Sequence, residues 1–124
     1  MANPKQVARL DHLLRRVAGF LHTSIEAAHS GRWGRGVFQY RRAFDGNLDL
    51  GLRVWLTDGQ AVEMVPPIEG TSELLQLLKL PDDVFGGRWH GLALLLRPGG
   101  GWQVAYNPDP TYGHDRAWRE SWPG

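Results

Sequence analysis

Between Leu48 and Leu56 the chain alternates with a period of two: Leu48, Leu50, Leu52, Val54 and Leu56 fall in one set, and Asp49, Gly51, Arg53 and Trp55 in the other. Successive side chains of an extended strand point to opposite faces, so this run fits a strand with one face in a core and one towards water. A helix would scatter the same leucines around its circumference. Thr57-Asp58-Gly59-Gln60 follows, and Asp-Gly between two apolar-rich runs signals a hairpin, read here as a type I′ turn with positive φ at both central residues. Ala61 to Val65 then return as the partner strand. An antiparallel sheet is therefore required, and the remaining sequence must supply something to cover its apolar face.

The first thirty residues supply it. Asn3, Pro4 and Gln6 have the side chains that suit the cap, the first and the third position of a helix. Val7, Leu10, Leu14, Val17, Leu21, Ile25 and Ala28 then recur at three- and four-residue spacing up to Gly31, which predicts one long amphipathic helix. From Trp33 the period shortens, with Phe38 and Tyr40 alternating with Gln39 and Arg41, and Phe44 to Asn47 carry turn chemistry. Pro66-Pro67 ends the returning strand. Leu74, Leu75, Leu77 and Leu78 form a short helix that Thr71 or Ser72 caps and Pro81 terminates. Trp89 to Leu96 is apolar on both faces, as a central or helix-covered strand is, and Pro98 with Gly99 to Gly101 turns the chain into Trp102, Val104 and Tyr106. The expected fold is α+β: an antiparallel sheet of about five strands, with a long N-terminal helix and a shorter middle helix packed on one face, in the order α-βββ-α-ββ. It occupies one domain, 1–124, in which 108–124 is an irregular C-terminal tail because Pro108 and Pro110 cannot donate to a ladder.

A chain of 124 residues suffices for one core, and its net charge of +1, from 14 basic and 13 acidic residues, advertises neither nucleic acid nor an anionic membrane. The absence of cysteine removes disulfides, thiol nucleophiles and thiolate metal sites together. Arg9, Asp11, His12, Arg15 and Arg16 interrupt every apolar run near the N-terminus, and no stretch approaches the ~20 apolar residues of a membrane span. The expectation is a soluble, cytoplasmic protein.

Four chemical readings compete. No Gly-x-Ser-x-Gly elbow marks a nucleophile, and the Gly-rich stretches at Gly86 to Gly91 and Pro98 to Gly101 lack the helix and Lys-Ser/Thr that phosphate cradling needs. Arg32, Arg35, Arg41 and Arg42 among Trp33, Phe38 and Tyr40 have the composition of a stacking surface for single strands. Alternation accounts for them more simply, with rings to the core and arginines to water. His22, Glu26 and His29, at offsets of four and seven, share nearly one helix face and are residue types that hold a metal. A small metal- or ligand-binding domain or enzyme built on that face is the alternative reading. The fourth candidate is the tail. Tyr106, Asn107, Asp109, Tyr112, Trp118 and Trp122 mix aromatic and polar groups as interface hot spots do, and a segment folded back over the sheet would have the same composition.

Over most of its length the chain resembles the YezG-like immunity proteins, which protect bacteria from their own secreted polymorphic toxins. The resemblance rests on the order of elements and on the stretch from Arg88 to Pro110, in which Trp89, Leu92, Leu94, Leu96, Trp102, Val104, Tyr106, Asn107 and Asp109 match that family's pattern of apolar strand, Gly turn and aromatic strand. Pro108 stands where the family usually has Tyr. The resemblance implies a non-enzymatic cytosolic protein, without cofactor or metal, that binds the toxic C-terminal domain of a cognate effector and blocks its active site or access to substrate. It acts as a monomer or homodimer. The expected partner contacts are Arg53, Trp55 and Asp58 at the edge of the meander, with Tyr106, Asp109, Tyr112 and Trp118 in the last strand and tail. The family is commonly acidic, so a net charge of +1 implies a target less basic than a typical toxic nuclease.

Overall fold

The computed structural model describes residues 3–42, 48–67, 71–85, 87, 89 and 91–107. Helix α1 (Pro4–His29) starts where the Asn3 side chain accepts a hydrogen bond from the Lys5 backbone N–H at 2.9 Å. It continues through Gly19 to Ser30, and Gly31 takes the left-handed conformation, φ 70°, that closes helix ends without a Cβ penalty. The strands are β1 (Trp33–Arg42), β2 (Leu48–Leu56), β3 (Ala61–Met64), β4 (Gly91–Leu96) and β5 (Trp102–Asn107). Helix α2 (Thr71–Leu78) and a 3₁₀ turn (Asp82–Phe85) lie between β3 and β4. The expected α-βββ-α-ββ order is thus present, and the 3₁₀ turn after Pro81 is an addition to it.

All pairings are antiparallel, and the strand order is β3-β2-β1-β4-β5. Register decides the faces. Phe38 pairs with Leu52 and Leu94, and Leu94 with Val104, so these four side chains share the inner face, against which α1 lies. Leu13, Leu14, Val17, Ala18, Leu21 and Ile25 of α1 complete this core with Leu74 and Leu77 of α2. The buried stripe of α1 is wider than the sequence spacing predicts, because the helix meets both the sheet and α2. Leu13 and Ala18 join it, whereas Val7 and Ala28 stay exposed. Arg16 of α1 reaches Glu73 of α2 at 3.2 Å, and Arg9 hydrogen-bonds Gln76.

The Thr57–Gln60 turn differs from the type I′ expectation, and the β4–β5 turn, for which no type was expected, has the same form. At the first, the Gly59 N–H bonds the Leu56 carbonyl at 3.0 Å, the Leu56 N–H bonds the Gln60 carbonyl at 2.7 Å, and φ is positive only at Gly59, 91°. This is a three-residue loop, a type I turn followed by a left-handed glycine in a bulge. Arg97 to Gly101 repeats it, with Gly100 at φ 90°. The extra loop residue pairs Arg53 with Glu63 and Val54 with Val62, where a two-residue turn would have paired Arg53 with Met64. Since one step of register reverses faces, the bulge is what turns Val62 and Met64 inward beside Leu52 and Val54. The Phe44–Asn47 turn and the expected tail, 108–124, lie outside the described residues.

Candidate interaction surface

A second irregularity arranges the outer face. The pairing slips between Trp33, opposite Leu56, and Arg35, opposite Trp55, leaving Gly34 as the extra residue. Trp33 therefore turns into the core while Arg35, two residues on, faces outward with Arg53 and Trp55. The guanidinium carbon of Arg35 stands 4.1 Å from the centre of the Trp55 ring, and that of Arg53 stands 6.0 Å away. Arg53 in turn donates from Nε and an Nη to Glu63 Oε1, each at 2.7 Å. Arg35, Trp55, Arg53 and Glu63 thus form one continuous patch across β1, β2 and β3. Each exposed cation–π or ion-pair contact stabilises the fold by only about 0.5–1 kcal/mol, but together they hold an indole and two guanidinium groups in place before any partner arrives.

The expected contacts separate on the structure. Arg53 and Trp55 belong to this patch. Asp58 is exposed nearby, where its Oδ1 accepts from the Gln60 N–H at 2.9 Å, so its carboxylate also serves the turn. Tyr106 stands apart from the patch, on the inner face, paired with Leu92 and partly buried, with its ring 5.4 Å from Phe85 and 6.0 Å from Trp89. Burial pushes its phenol up to about 12. Its alternation with Trp102 and Val104 was the signal for that position. Asp109, Tyr112 and Trp118 lie outside the described residues. Arg35 and Glu63 are the partners that the expected set lacks; hairpin register places Glu63, and the Gly34 bulge places Arg35.

The helix face considered for a metal is engaged otherwise. His22 Nε2 donates to the Pro98 carbonyl at 2.9 Å, and its ring meets Trp33 edge-on at 5.6 Å. Glu26 accepts the Trp33 indole N–H at 2.8 Å. These contacts tie the end of α1 to the start of β1 and to the β4–β5 turn. Among the described residues, no three His, Asp or Glu side chains are grouped as a metal ion requires. An apolar cavity under Pro66 and Pro67, lined also by Val17, Leu21, Phe38, Leu50 and Leu74, measures about 20 Å³ and has room for little more than one water molecule. No described helix is long and apolar enough to cross a membrane.

Comparison with protein-family models found none that matches the chain, and comparison with curated proteins found none significantly similar to it.

Proposed function

We propose that the protein works by binding another protein: it is a cytosolic immunity protein that covers the active site, or the substrate path, of a toxin domain encoded beside it. The observation that carries this reading is the Arg35–Trp55–Arg53–Glu63 patch. Trp and Arg are the side chains that most often dominate binding energy at interfaces, and here they are held still on the half-exposed end of a sheet. The α-βββ-α-ββ order, which the chain has in common with the family it resembles, supports the same reading. A stable complex buries about 800 Å² on each partner, so the patch is the centre of a larger footprint that takes in the exposed Asp58 turn. Two arginines against one glutamate suit a target that presents carboxylates around an apolar recess.

The test is to purify the chain with the C-terminal domain of the adjacent effector and measure their affinity. Trp55→Ala should weaken binding by about 30-fold or more, the hot-spot range, while Thr23→Ala, at an exposed position of α1 on the other side of the sheet, leaves it unchanged. Thermal unfolding of both variants should remain within a few degrees of the parent. Failure of the unmodified chain to bind or neutralise any adjacent effector overturns the immunity reading, and equal affinities for the two variants overturn the assignment of the patch.

A further inference from the structure

Hydrogen bonding leaves one side of β5 without a partner strand. At the β4–β5 turn the Arg97 N–H donates to the Gly101 carbonyl at 3.0 Å, so Arg97 and Gly101 form a hydrogen-bonded pair of the antiparallel ladder. Such pairs alternate along two strands, and the register carries the alternation to Leu95–Gln103, Ala93–Ala105 and Gly91–Asn107. Gln103, Ala105 and Asn107 therefore direct their main-chain groups to β4, whereas Trp102, Val104 and Tyr106 direct theirs to the outside of the sheet. β5 is the last strand in the order, and among the described residues no strand pairs with that side.

The two edges of the sheet are built differently. β3, at the other end, has four residues, carries the exposed Glu63 and is followed by Val65 and the Pro66-Pro67 pair, features that discourage a further strand. β5 has six, Trp102-Gln103-Val104-Ala105-Tyr106-Asn107, with neither charge nor proline and no bulge in its register with β4. A regular, uncharged edge of aromatic and β-branched residues is a template for another strand.

We propose that the strand it accepts is β5 of a second copy of the chain, antiparallel about a two-fold axis at Val104, so that two five-stranded sheets become one. Residues directly opposite each other in a sheet share a face, and in this register Trp102 of one protomer faces Tyr106 of the other while Val104 faces its own counterpart. The inner face of one molecule thus continues into that of the next, and on the outer face the long Gln103 lies opposite the short Ala105. The main-chain groups match as well: Trp102 with Tyr106, Val104 with Val104 and Tyr106 with Trp102 are all hydrogen-bonded pairs, each exchanging two bonds. Neighbouring registers lose some of these. An axis at Ala105 would need an N–H from position 108, which is proline, and an axis at Gln103 would set Tyr106 opposite Gly100, in the turn. The two-fold occupies both unguarded edges and leaves only the β3 edges outside, so the assembly closes at two copies. It forms at the edge of the sheet away from the Arg35–Trp55–Arg53–Glu63 patch and does not depend on what that patch binds.

One strand pair covers less than the about 800 Å² a side of a standard interface, so the expected dimer is weak, with a Kd of roughly 10–100 μM. Sedimentation of the unmodified full chain from about 1 μM to about 1 mM should show monomer passing to dimer and stopping there. Over the same range the amide hydrogens of Trp102, Val104 and Tyr106 should exchange more slowly by about fivefold or more, while those of Gln103 and Ala105, bonded to β4 in either state, change little. A monomer throughout overturns the proposal. So does full protection of the three amides at the lowest concentration, which would mean that the chain covers its own edge. Charge tests the register independently. Gln103→Lys with Ala105→Lys sets like charges opposite each other between protomers and should raise the Kd about tenfold or more, whereas Gln103→Lys with Ala105→Glu sets opposite charges there and should restore the parent value. Equal dissociation constants for the two double variants would overturn the pairing at Val104.

Discussion

Tyr106 shows how one side chain's surroundings fix its contribution. Its ring is packed against Phe85 and Trp89, and burial raises its phenol from 10.0 to about 12, so the folded state favours the neutral form. A folded-state value above the unfolded one means that this contribution is intact below pH 10 and is lost as pH rises towards 12. The urea midpoint of the parent should therefore fall more steeply over that interval than the midpoint of Tyr106→Phe, which has no phenol to ionise. Identical slopes would show that the ring is solvated in the folded state. The position was legible, since Trp102, Val104 and Tyr106 keep strand parity. An aromatic residue at the head of a proline-broken tail suggests a contact surface equally well, and only the register with Leu92 decides between the two.

At the level of elements, the side chain of Ile25 from α1 packs directly onto the sheet at Gly36. A Cβ built there would stand 2.8 Å from Ile25 Cδ1 and 3.7–3.8 Å from Trp33 and Leu96, so the only severe conflict is with the end of one flexible side chain. Gly36→Ala should destabilise by about 1–2 kcal/mol through overpacking. In an Ile25→Val background, which removes that methyl group, most of the penalty should disappear, and a thermal-melt double-mutant cycle measures the coupling. Additive effects would place the strain in the backbone instead. The elements themselves were largely legible because their periods differ: two in β2, three to four in α1. The faces were less so. Asp58-Gly59 suits either a type I′ pair or a type I turn with a bulge, and the two choices put Glu63 on opposite sides of the sheet. The apolar parity of Val62 and Met64 separates them. Nothing local marks Gly34 as the residue that turns Trp33 inward, since a glycine between an aromatic and an arginine is compatible with an unbroken strand.

For the molecule as a whole, β4 matters more than its six residues suggest. All six are buried, and the strand joins β5 to a sheet otherwise built from the first half of the chain. Leu94, fully buried against Phe38 and Val104, should cost about 3 kcal/mol or more when cut to Ala, whereas Leu75→Ala, at a position 49% exposed, should cost under about 0.5 kcal/mol. Chemical denaturation of both variants measures the difference, and comparable losses would mean that α2 carries more of the core than its packing indicates. The patch on the outer face was half legible: its arginines and tryptophan stand out in the sequence, but their grouping depends on two bulges and on long-range register.

The place of β1 in the middle of the sheet has a consequence for synthesis. A chain leaving the ribosome offers α1 and the β1–β2–β3 meander first, and β1 keeps one naked edge until residues 91–96 have emerged. For that interval the nascent protein carries an open row of amide groups beside an uncovered apolar surface, the state from which neighbouring chains cross-pair. Translation speed between residues 65 and 96 and chaperone supply should thus bear on its yield.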